Sequence, residues 1–160
     1  MNTFAIFGIS MLMSLVSSGL IAQIYAWPRL RLMNRDQALL VLVAPHMFLR
    51  LIGLSFLVQG VVSPSLPAAF AVPAAYGDLV AGILAIGAMI ALSRRTSWAT
   101  ALVWLFNIWG ATDFLFGIVQ GLRVHIDPGA LGAAFFIPTA VVPPLLVTHA
   151  LIFRILVRSK

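Results

Sequence analysis

The sequence predicts an all-α integral membrane protein, a five-helix transmembrane bundle with its N-terminus outside and its C-terminus cytoplasmic. Three observations carry that expectation. Hydrophobic residues make up 62% of the chain against 9% charged, with a mean hydropathy of +1.08, a balance that a soluble domain of this size has no interior to hide. Five apolar runs, about 3–27, 37–62, 68–92, 97–120 and 131–156, each reach the roughly 20 residues that one helical crossing needs. Basic residues then sort by position: Arg29, Arg31 and Arg35 follow the first run, Arg94 and Arg95 the third, and Arg154, Arg158 and Lys160 end the fifth. The opposite face holds only Arg123, set against Asp127, so the positive-inside rule orients the chain without conflict. Residues 1–160 are expected to form one transmembrane domain, multi-pass in a bacterial inner membrane.

The first run carries only small or terminal polar residues, and Tyr25 and Trp27 form an interfacial anchor at its end. It lacks the basic start of a signal peptide and reads as a retained, peripheral span. The second is more unusual. His46 and Arg50 are four residues apart and share a helix face, and Pro45 removes a backbone donor beside them, which predicts a kink. Arg50 lies about 20 Å along the axis from Gln37, too deep for easy snorkelling.

In the third run, Ala74, Asp78, Ala81, Ala85 and Ala88 make a small-residue stripe that admits close helix contact. Asp78 falls about 21 Å from the cytoplasmic end, level with Arg50. The fourth run puts Asn107, Gly110, Asp113, Gly117 and Gln120 on one arc of roughly 140°, an inward polar side opposite a lipid-facing one. Asp113 comes out at about 24 Å, and Asn107 at about 15 Å. In the fifth run, the adjacent Pro143 and Pro144 release the carbonyls of Thr139 and Ala140; either Thr139 closes the gap in a kinked helix or a broken helix presents carbonyls to a ligand. His149 lies further in.

These levels gather Arg50, Asp78 and Asp113 at one depth, surrounded by His46, Asn107 and His149. Each charge placed there is costly unless paired. Arg50 is expected to pair with Asp78 in preference to Asp113, which leaves Asp113 as a spare, titratable carboxyl. The resulting expectation is an intramembrane polar pocket formed by spans 2 to 5, with Tyr76, Trp104 and Trp109 as aromatic walls, binding or translocating a small ligand or proton; aromatics beside an acid suit a cationic or amphipathic ligand.

Three other readings stand beside it. A structural or assembly subunit would use the same residues as interhelical glue, in a homo-oligomer or with a larger membrane partner. A b-type haem protein would use His46 and His149 as axial ligands, with Arg50 near a propionate. An embedded acid/base enzyme acting on a lipid-like substrate would use His46 with Asp78 or Asp113, although the chain leans away from an enzyme and no catalytic residue is assigned.

The absence of cysteine excludes disulfides and thiolate-ligated metal centres, and no metal site is expected. There is no GxGxxG, P-loop, HExxH or paired CxxC motif, and five spans do not divide into two inverted repeats. The net charge of +6 does not indicate nucleic acid, because its excess sits at helix ends on one face; its expected partners are the bilayer and its anionic headgroups.

Overall fold

A computed structural model describes residues 2–158; Lys160, counted above with the basic face, lies outside them. The chain is helical, with five helices long and apolar enough to cross a bilayer: α1 (Thr3–Leu30), α2 (Arg35–Leu57), α3 (Ala68–Ser93), α4 (Ala99–Arg123) and α5 (Ile137–Val157). No strand occurs among the described residues. The long helices begin and end close to the expected runs at most boundaries and differ at two. Helix α2 stops at Leu57 rather than near residue 62, because Gly60 turns the chain at φ +85°. Helix α5 begins at Ile137 rather than near 131, because Gly132 sits at φ +55° inside a short 3-10 segment, Pro128–Phe135. A side chain at Gly132 would strike the carbonyl of Val61. The two connections are stitched together there: Ala133 N–H donates to Val61 O and Ser63 N–H to Ala130 O, both at 2.9 Å.

Prolines account for the irregular turns within the helices. A π-helical turn over Ala22–Ala26 precedes Pro28, and another over Ile137–Val141 precedes Pro143, so each helix widens just before the residue that cannot donate. Helix α5 therefore continues through both prolines, and the Thr139 hydroxyl donates to Phe135 O at 2.8 Å. This is the closed arrangement of the two the sequence allowed, and no broken helix forms there. Pro73 has no N–H for the carbonyl of Ala69 one turn back; the Gln120 amide of α4 fills that role at 2.9 Å. At Pro45 the α-helix stops, resumes for His46–Leu49, and tightens into eight residues of 3-10 helix, Arg50–Leu57.

Helix α3 is the central element. Its face of Ala71, Ala75, Asp78, Ala81, Gly82, Ala85 and Ala88 is buried, and it packs along both α2 and α4; small side chains permit that approach on two sides. Helix α5 closes the group against α2 and α4. Helix α1 lies outside, along α5, and none of Thr3–Ile21 is buried. Two apolar clusters fill the interior: one around Leu39, Val43, Ala88, Val103, Phe106 and Ile152, the other around Phe56, Ala71, Ala75, Leu131 and Ile137. The buried polar residues of α2, α3 and α4 fall between these clusters in chain order.

Candidate functional site

Arg50 is the largest fully buried side chain, 1% exposed, and four of its five N–H donors are engaged. Nη1 donates to Asp78 Oδ1 at 2.7 Å and to Asp113 Oδ2 at 2.8 Å. Nη2 donates to Gly110 O at 2.5 Å and to His149 Nε2 at 2.9 Å. Nε has no protein partner. The guanidinium carbon lies 3.4 Å from the centroid of the Phe114 ring, a cation–π contact that covers the ion's face while its edge is hydrogen-bonded. The expected preference for Asp78 over Asp113 does not hold: one nitrogen serves both carboxylates, so neither is spare. Each is held through one oxygen, and Asp78 Oδ2 and Asp113 Oδ1 receive no protein donor among the described residues.

Glycines make the room. A methyl group on Gly53 would overlap the Asp78 carboxyl, and one on Gly77 the Asp113 carboxyl. At Gly110 it would lie 2.6 Å from His149 Cε1 and 2.7 Å from Arg50 Nη2. Three helices thus give up a side chain where the cluster needs its volume.

Hydrogen-bond direction assigns the imidazole tautomers. Because Arg50 Nη2 can only donate, His149 Nε2 accepts, and its Nδ1–H donates to Asn107 Oδ1 at 2.7 Å. The Asn107 amide returns a bond to the backbone carbonyl of His149 at 3.2 Å. The Thr148 hydroxyl donates to Leu145 O at 2.7 Å, so it accepts from His46 Nε2 at 2.8 Å. His46 Nδ1 is then a buried lone pair without a donor. With both imidazoles neutral and both carboxylates ionised, one arginine faces two aspartates, and the cluster carries one net negative charge.

A mostly apolar cavity of about 250 Å3 meets this cluster. Asp78 and Asp113 are its acidic lining residues, and its walls come from Phe56, Phe70, Phe114 and Ile137, with Phe4, Phe7 and Met11 of α1. Six of the nine residues singled out from sequence therefore come together: His46, Arg50, Asp78, Asn107, Asp113 and His149. The three proposed aromatic walls do not. Tyr76 is 55% exposed and Trp109 43%; the Trp109 indole reaches Gly77 O at 3.2 Å on the outer surface, while Trp104 packs on Phe153, ring centroids 5.8 Å apart. Phenylalanines take the place of those aromatics. Helix α1, expected to be peripheral, is peripheral in packing yet supplies part of the wall. Thr148, the Gly110 carbonyl and the glycine notches were not singled out either; only the one-turn spacing of Gly110 from Asn107 and Asp113 hinted at the second.

The histidines do not fit a b-type haem. Their ring centroids are 4.4 Å apart, which leaves no space for a macrocycle between them, and both nitrogens of His149 are already bonded. The polar partner of His46 is Thr148, and no hydrogen bond joins it to Asp78 or Asp113 among the described residues. No group of three metal-ligating side chains is found among the described residues.

Fold and site together define an all-helical chain with five long apolar helices around a buried arginine–diaspartate cluster and an adjoining cavity. The chain belongs to the family described as Domain of unknown function (DUF8737), which matches residues 6–157. No curated protein and no solved structure matches it.

Proposed function

We propose that the chain is an integral membrane protein of five spans, N-terminus outside and C-terminus cytoplasmic, whose cavity binds a small amphipathic ligand by an apolar body and a cationic or hydrogen-bond-donating head. The observation that carries this reading is the cavity itself: apolar walls converge on two carboxylates that share one guanidinium and keep one oxygen each without a protein donor. Apolar pockets with a few convergent polar groups are the usual form of a small-molecule site. The volume of about 250 Å3 exceeds the roughly 150 Å3 apolar cavity known to take up benzene. Two carboxylates around one guanidinium favour a cation or a hydrogen-bond donor over an anion whenever both are ionised, and the phenylalanine faces suit the same choice.

A second reading, the cluster as interhelical glue in an assembly subunit, is favoured by the nearly complete satisfaction of Arg50 within the chain. One experiment separates them. Thermal unfolding of the purified protein in nanodiscs is followed with octylamine and with octanoate. Gly117 lines the cavity and a Cβ there meets nothing within 4 Å, so Gly117→Phe starts from open space and is expected to send its ring into the cavity and keep the fold. Stabilisation of the wild type by the amine and not the carboxylate, lost in Gly117→Phe and weakened in Asp113→Asn, is the expected result. Equal responses to both amphiphiles, or an unchanged response in Gly117→Phe, would leave the glue reading standing and the pocket reading refuted.

A further inference from the structure

A second cleft, of about 450 Å3, opens at the other end of the bundle, where the turn between α1 and α2 meets the end of α5. Arg31, Arg35 and Arg158 line it, together with Trp27 and the apolar side chains of Met33 and Ile155. None of the three guanidiniums donates to a protein acceptor among the described residues, and the Arg35 Nε is buried without a partner. No carboxylate lines the cleft among the described residues. Arg158 is nonetheless placed: its guanidinium carbon lies 4.9 Å from the Trp27 ring centroid, and Arg154 stacks on the same ring at 3.8 Å.

Three cations held together without a counter-charge repel one another, and they persist at low cost only where water or an anion screens them. Planar guanidinium forks match phosphate oxygens, and the apolar residues at the rim offer a surface for an acyl chain beside the charged head. We infer that this cleft is a binding site for the phosphate of an anionic phospholipid, on the face proposed above as cytoplasmic. A zwitterionic choline headgroup fits less well, because the lining offers its ammonium no carboxylate among the described residues and the Trp27 ring already carries Arg154 and Arg158. The inference rests on the proposed membrane placement and not on the ligand cavity, which lies at the opposite end of the bundle.

The test is native mass spectrometry of the full chain released from detergent, titrated with phosphatidylglycerol or with phosphatidylcholine of the same acyl chains. Inorganic phosphate is a separate arm, read by thermal shift. Phosphatidylglycerol should bind in preference to phosphatidylcholine. The variant R31Q/R35Q/R158Q should weaken that binding by roughly a hundredfold, at about fivefold for each interfacial arginine. The variant R94Q/R95Q removes two basic residues of the same face that lie outside the cleft lining and should bind like the wild type. Gel filtration and circular dichroism establish that both variants fold. Equal binding of the two lipids, or equal losses in both variants, would overturn the site in favour of general surface charge. Inorganic phosphate that stabilises the wild type as fully as the lipid would overturn the lipid as its source. Flotation of the chain with vesicles tests membrane placement independently, so failure of that premise is distinguishable from failure of the site.

Discussion

Replacing Arg50 with Met is the most informative single perturbation of the cluster. The substitution keeps an unbranched, apolar side chain of similar reach and removes four hydrogen bonds at once, to Asp78, Asp113, Gly110 O and His149 Nε2. It also uncovers the face of Phe114. Two carboxylates are left together with no counter-ion, so at least one must take up a proton or recruit water. Removing one member of a buried ion pair costs about 3–5 kcal/mol, and Arg50→Met belongs at the upper end because two partners are stranded. Asp78→Asn and Asp113→Asn act in the opposite sense: each removes the excess charge while keeping a one-to-one ion pair, so each should cost no more than about 1–2 kcal/mol. The side chains of Asp78 and Asp113 are 8% and 11% exposed, too similar to separate the two. The triple variant Arg50→Met/Asp78→Asn/Asp113→Asn should recover much of the loss, because no buried charge remains, whereas either double variant that keeps one aspartate should recover only part. Reversible unfolding in mixed micelles, followed by tryptophan fluorescence, gives the ranking. Wild-type stability in Arg50→Met, or a full rescue by a single aspartate substitution, would refute the shared-carboxylate account and return the cluster to a simple pair.

Three further outcomes are expected. Gly110→Ala places a methyl group against His149 and Arg50 Nη2 and should destabilise by about 1–3 kcal/mol, while Gly117→Ala, with open space around it, should not; equal effects in the same unfolding assay would contradict the packing described at Gly110. Thr148→Val removes the one polar partner of His46 and should cost about 1–3 kcal/mol, and Thr148→Ser should restore most of it, as measured by unfolding midpoint. A topology reporter fused after residue 158 should read cytoplasmic and one inserted at Ser65 external, from the one-sided placement of arginine; the reverse pattern would overturn the proposed orientation.

The number of long apolar helices was legible because it depends on the length and composition of each run, and the first run is helical although none of Thr3–Ile21 is buried. The gathering of Arg50, Asp78, Asn107, Asp113 and His149 was legible for a related reason, since charged and amide side chains in such runs must face one another, and helical rise sets their levels. Sequence could not rank the two aspartates, because a difference of a few ångströms in level is smaller than the reach of an arginine. Rotation decided the matter: Gly53, Gly77 and Gly110 let three helices approach until one guanidinium touched both carboxylates. The aromatic walls went wrong on the same ground. Tyr76 is two residues from Asp78, about 200° around the helix, and so points away from it. Trp109 is one turn from Asp113, yet its indole is drawn to Gly77 O on the outer surface, and Phe4, Phe7, Phe56, Phe70 and Phe114 fill that wall. The helix ends at Leu57 and Ile137 depended on the stitching of two connections distant in sequence. Local propensity sets where a helix can form, but only tertiary contact decides which neighbouring backbone takes its freed donors and acceptors, and so where it stops.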